Sequence, residues 1–60
     1  MESKLINHNG TVITFKWVEK WENYLMRSDY KDGRMHLMFI SDVEKEIEML
    51  MAEGYIEAKE

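Results

Sequence analysis

Hydrophobic and polar residues alternate along much of the first forty positions, and two glycine dipeptides punctuate the alternation. Asn9-Gly10 favours a tight hairpin, because a type I′ turn needs positive φ at both central positions. A two-residue turn there sets His8 opposite Thr11, Ile6 opposite Ile13 and Lys4 opposite Phe15. One face then carries Ile6, Ile13, Phe15 and Trp17, and the other carries Leu5, Val12 and Val18 among polar residues. Asp32-Gly33 repeats the signal. Centred on it, Tyr30 faces Met35, Ser28 faces Leu37 and Met26 faces Phe39, while Asp29 lies across from His36. The same register puts Lys31 against Arg34, an unfavourable apposition of like charges. The pattern predicts a second hairpin over roughly 24–30 and 34–40.

Residues 17–27 admit two readings. Trp17, Val18, Trp21, Tyr24 and Leu25 recur at helical spacings of three and four. Phe15, Trp17 and Trp21 also share one side of a strand, and no capping residue precedes Trp17. The strand reading is preferred, continuing to about Lys20 and turning near Glu22-Asn23. The last element is a helix. Ser41 and Glu44 have the spacing of a capping box, and Asp42 adds negative charge at the positive end of the helix dipole. Val43, Ile47, Leu50 and Met51 form one apolar stripe. Gly54 is placed to end the helix, with Tyr55 or Ile56 folding back on the last turn. A short closing strand over Tyr55 to Ala58 follows. The fold class expected is α+β: an antiparallel meander of about four strands packed by one C-terminal amphipathic helix, with residues 1–60 as a single small domain.

Size and composition narrow the function. The chain has 60 residues, 45% hydrophobic and 33% charged, a globular balance rather than a disordered one. Folding so short a chain buries only about 60% of the surface exposed when unfolded. Small folds are commonly reinforced by disulfides, a structural metal or oligomerisation. The sequence contains no Cys, which excludes disulfides and thiolate zinc sites, and its two histidines, His8 and His36, cannot alone complete a four-ligand metal site. Self-association or docking on a larger partner is the expected reinforcement, with no cofactor and no metal. No apolar run exceeds four residues, the length of Leu37 to Ile40, far short of the ~18 needed to cross a bilayer. Met1-Glu2-Ser3-Lys4 lacks the layout of a secretory signal, so a cytoplasmic location is expected. A chain this short rarely encloses a substrate pocket, so a non-enzymatic protein is expected.

Charge is unevenly distributed. Residues 1–41 hold six basic and five acidic groups; residues 42–60 hold two basic and seven acidic groups. Glu44 and Glu48 lie one helical turn apart with no base between them on that line, a spacing that mildly destabilises a helix. A solvated face that maintains solubility explains this acidity. An acidic surface that meets a basic partner is the functional alternative, since charge complementarity speeds encounter and sets specificity. Glu44, Glu46 and Glu48 are therefore candidate docking residues. Trp17, Trp21 and Tyr24 join them as aromatic anchors, although aromatics and the six methionines also serve as core filler.

Other groupings carry less. Asp29 and His36, as cross-strand neighbours, have the form of a base and its orienter, but Ser28 and Ser41 lie in no nucleophile motif; an ordinary surface pair accounts for them. Glu19 and Glu22 define no glycosidase-like carboxylate pair. Lys16, Lys20, Arg27, Lys31 and Arg34 are interleaved with aromatics, as in a surface that stacks single-stranded bases, but the net charge of −4 weakens attraction to phosphate. In size, acidity and lack of a catalytic grouping, the chain resembles small accessory proteins of bacteria and their phages that act by binding. That resemblance is compositional. The expectation is a stoichiometric inhibitor or modulator of a larger protein with a basic surface. One helix leaves the second face of the sheet unshielded, which favours a dimer through Leu5, Val12, Val18 or Trp21. The alternatives are a small regulatory nucleic-acid binder, and a homo-oligomer that captures a small anionic ligand between subunits.

Overall fold

The alternating segments form strands and the apolar stripe forms a helix. The computed structural model describes residues 3–58. Met1, Glu2, Lys59 and Glu60, which enter the reading of the N-terminus and the charge of the C-terminal segment, lie outside the described residues. Strands β1 (Ser3–Ile6), β2 (Val12–Val18), β3 (Asn23–Asp29) and β4 (Met35–Ile40) precede helix α1 (Val43–Ala52), and β5 (Ile56–Glu57) closes the chain. They form one antiparallel sheet in the order β4-β3-β2-β1-β5, with α1 packed on one face. This is the expected α+β fold with the closing strand realised. Strand flanks a turn within residues 17–27, as preferred over a helix, but β2 ends at Val18 rather than near Lys20: Glu19–Trp21 form a short 3₁₀ segment, Glu22 lies in the left-handed region at φ 47°, and β3 resumes at Asn23.

Both hairpins are displaced by one residue from the expected register. A type I′ turn requires positive φ at Asn9 and Asp32, yet Glu22 is the one non-glycine residue with positive φ among the described residues. Each loop has three residues instead of two, with its glycine closing the loop in the left-handed region, Gly10 at φ 85° and Gly33 at φ 92°. In the first, the Gly10 amide donates to the Asn7 carbonyl at 3.1 Å and the Asn7 amide to the Thr11 carbonyl at 3.2 Å. In the second, the Gly33 amide donates to Tyr30 at 3.0 Å and the Tyr30 amide to Arg34 at 2.9 Å.

Side chains explain the longer loops. Asn7 Oδ1 accepts from the amides of Asn9 and Thr11, both at 3.0 Å. Asp32 accepts from the Arg34 amide at 3.0 Å. The longer second loop also separates Lys31 from Arg34, whose guanidinium instead lies 5.8 Å from the centre of the Tyr30 ring.

A one-residue slip exchanges the faces of every affected side chain. Leu5 pairs with Ile13 and enters the core, whereas Ile6 pairs with Val12 on the opposite, open face. Met26 pairs with Met38, Ser28 with His36 and Asp29 with Met35. The expected Ile6–Ile13, Lys4–Phe15, Met26–Phe39 and Ser28–Leu37 pairs, and the Asp29–His36 apposition, are thereby corrected. The slip buries Leu5 in place of Ile6, setting it beside Phe15 beneath the helix, each 1% exposed. Leu5, Ile13, Phe15, Met26, Ile40 and Leu50 form the core, with Val43, Ile47 and Tyr55 packed against it.

The helix begins one residue later than the capping-box spacing suggests. Asp42 is the N-cap, and its carboxylate accepts from the Lys45 amide at 3.1 Å. Ser41 therefore does not cap α1, and Glu44 is not in the position that would reach back to it. Asp caps as well as Ser and adds full charge at the helix's positive end. The apolar stripe is Val43, Ile47 and Leu50; Met51 points outward and is exposed. At the other end the Tyr55 amide donates to Leu50 and the Gly54 amide to Met51, the paired bonds of a Schellman ending, with half-buried Tyr55 folded onto the core.

Two stability measurements check these assignments. Asp42→Ala should lower unfolding free energy by about 1 kcal/mol in urea titrations, while Ser41→Ala leaves it within experimental error. Asn7→Ala leaves two turn amides without their acceptor and should cost about 1–2 kcal/mol, a large fraction of a stability of roughly 3–9 kcal/mol for this length.

Candidate functional site

The helix covers only the middle of one sheet face, and the docking residues expected from the sequence divide around it. Trp17 and Tyr24 are opposite each other on β2 and β3, on the helix-covered side, and their rings meet edge to face with centroids 5.0 Å apart. Trp17 lies beyond the reach of α1 and is 46% exposed. Tyr24 also lines a groove of about 420 Å³ between the sheet and the first turns of α1, together with Phe15, Asp42, Val43, Glu44 and Ile47. Glu48 stands one turn along the same flank from Glu44, and both are exposed. Glu44 and Tyr24 thus border one groove, with Trp17 packed on Tyr24 and Glu48 one helical turn from Glu44.

Glu46 and Trp21 do not belong to it. Glu46 projects from the other flank of α1, where it lines a separate groove with Phe39, Ile40, Lys45 and Met49. Trp21 lies in the 3₁₀ turn and packs edge to face on Phe39, a residue of the open face, at 5.4 Å. The sequence spacing places Trp17 and Trp21 on one strand side; the turn at Glu19 breaks that strand and sends them to opposite sides of the sheet.

The open face has a different character. Lys4, Lys16 and Arg27 project from it among Ile6, Val12, Leu25, Met35, Leu37 and Phe39. Lys16, Leu25, Arg27, Met35 and Leu37 border a shallow depression of about 420 Å³. Arg27 is engaged by Asp29 at 3.0 Å, and Lys20, 5.4 Å from the Trp21 ring, shares its turn with Glu19 and Glu22. These acids dilute the basic stripe that a nucleic-acid surface requires. Leu5 is in the core and so contributes nothing to a contact through this face; Val12 and Val18 remain half-buried and Trp21 exposed.

No three His, Asp or Glu side chains cluster for metal binding among the described residues. No described helix is long and apolar enough to cross a membrane. Asp29 and His36 project from opposite faces, so they form no catalytic pairing. Neither the exposed apolar edge on β4 nor the Trp17–Tyr24 pairing was legible as a site in sequence, because both follow from the register. No family model matches the chain, and neither a curated protein nor a solved structure matches it.

The aromatic pair is open to direct measurement. In a Trp21→Phe background, emission reports Trp17 alone. Removing its neighbour with Tyr24→Ala should steepen acrylamide quenching of that emission; an unaltered quenching slope would show that the rings do not pack in solution.

Proposed function

We propose that the protein is a non-enzymatic binding module that engages an arginine-bearing surface of a larger protein through Glu44, Glu48, Trp17 and Tyr24. The supporting observation is the meeting of carboxylate and aromatic groups at the mouth of one groove. A guanidinium is planar and weakly hydrated, so it can pair with a carboxylate and stack on an aromatic face in the same approach. Lysine satisfies the first requirement and stacks less well. The acidity of α1 therefore steers the partner in, and the rings select for arginine. Glu46 and Trp21 are peripheral to this reading because they face other surfaces. A role as inhibitor or modulator follows if the bound arginine is one the partner uses.

Nucleic acid is the weaker occupant. The carboxylates of Asp42, Glu44 and Glu48 would repel phosphate at this groove, and the bases on the open face are interspersed with acids. The chemistry instead fits a basic protein surface.

Arginine-rich and lysine-rich peptides of equal charge, titrated at low salt against Trp17 emission in the Trp21→Phe background, test the proposal. The arginine peptide should bind more tightly. The Glu44→Lys/Glu48→Lys double variant should weaken it about tenfold, the sum of two exposed charge pairs, with an unchanged circular dichroism spectrum. Equal affinity for both peptides, indifference to the charge reversal, or tighter binding of single-stranded nucleic acid would each overturn it.

A further inference from the structure

Strand β4 is an edge strand of unusual composition. Met35, Leu37 and Phe39 on the open face and Met38 on the other are all about half exposed. Edge strands are commonly protected by charges, proline, bulges or extreme shortness. Met35–Ile40 is six residues long and contains none of these, its single polar side chain being His36. Its backbone is also open on one side. The Tyr30 amide donates to the Arg34 carbonyl, which turns the even-numbered positions of the strand toward β3. The N–H and C=O groups of Met35, Leu37 and Phe39 consequently point away from the sheet.

We propose that β4 pairs antiparallel with β4 of a second copy, joining two sheets into one of ten strands, with Leu37 on the twofold axis. In that register Met35 lies opposite Phe39 of the second copy and Leu37 opposite itself. The three residues whose backbone groups face outward are the ones that form the hydrogen-bonded pairs. A symmetric antiparallel pair of this kind keeps both helices on the same side of the joined sheet, so apolar side chains meet apolar side chains on the open face.

The strand's ends are electrostatically complementary as well. Lys31 and Arg34, with Asp32, flank its start; Asp42 and Glu46, with Lys45, flank its end in the groove that Phe39 and Ile40 line. Antiparallel pairing brings the basic end of each copy to the acidic end of the other, twice per dimer. This favours a second copy over an unrelated strand, which need not carry that charge order. It is independent of the arginine-binding reading, because Trp17, Tyr24, Glu44 and Glu48 remain uncovered.

Sedimentation velocity across a concentration series up to about 1 mM reads the association, since an edge pairing of this size sits at or below the small end of specific interfaces, roughly 1,200 Å². The expected result is a monomer–dimer equilibrium that Leu37→Lys abolishes, with the circular dichroism spectrum preserved because Leu37 is 48% exposed. Leu37→Glu should also be monomeric. An equimolar mixture of the two variants should dimerise again, because only a Leu37-centred axis sets position 37 against itself. A wild-type chain that stays monomeric throughout overturns the proposal. So does a dimer that survives Leu37→Lys but is lost in Val12→Lys, which marks stacking of open faces, and so does a variant mixture that fails to associate.

Discussion

Side chains alternate across a strand, so the length of a hairpin loop decides which residues enter the core. In this protein two loops share one solution: three residues, closed by a glycine in the left-handed region and pinned by an Asn or Asp side chain. That choice places Leu5 under α1 beside Ile13, Phe15 and Met26, and keeps Leu37 and Phe39 on the open face. The two-residue alternative puts Ile6 in place of Leu5 and turns Leu37 and Phe39 toward the helix side. The open apolar edge depends on this count of one residue per loop, while the separate turn at Glu19–Trp21 sets the Trp17–Tyr24 pairing.

A single ten-residue helix cannot cover a five-stranded sheet. It shields the centre of one face and leaves both ends and the whole reverse side exposed. The consequence is an excess of half-exposed Trp, Phe, Leu and Met in a chain with no disulfide to compensate. Such surfaces are tolerated when something covers them. Exposed apolar side chains, an unpaired β4 edge and charge order together make the surface of this protein more informative than its interior.

The molecule is electrostatically two-sided. Asp42, Glu44, Glu46 and Glu48 crowd α1 with Lys45 as the only base among them, whereas Lys4, Lys16 and Arg27 share the open sheet face. Polar arrangements of this kind orient encounters before contact is made. On the acidic side the carboxylates of Asp42 and Glu44 and the Tyr24 ring border one groove, which is why the proposed arginine contact is placed there rather than on the open face.

Much of the architecture was legible in sequence because it rests on local chemistry. The strand alternation, the helix stripe through Val43, Ile47 and Leu50, the Gly54 ending and the two turn sites follow from residue types and their spacing. The cap moved from Ser41 to Asp42 because neighbouring residues compete for the same amide, and spacing alone does not rank them. Loop length was hidden for a related reason: Asn-Gly and Asp-Gly suit both two- and three-residue hairpins, and the difference lies in side-chain bonds and in which apolar residues the helix can cover. Local propensity thus determined the elements and their order. The separation of Glu46 from Glu44 belongs to helix geometry, since positions two apart do not share a flank. Only tertiary packing decided the sheet faces, and with them the separation of Trp21 from Trp17, because a face is defined by what packs against it.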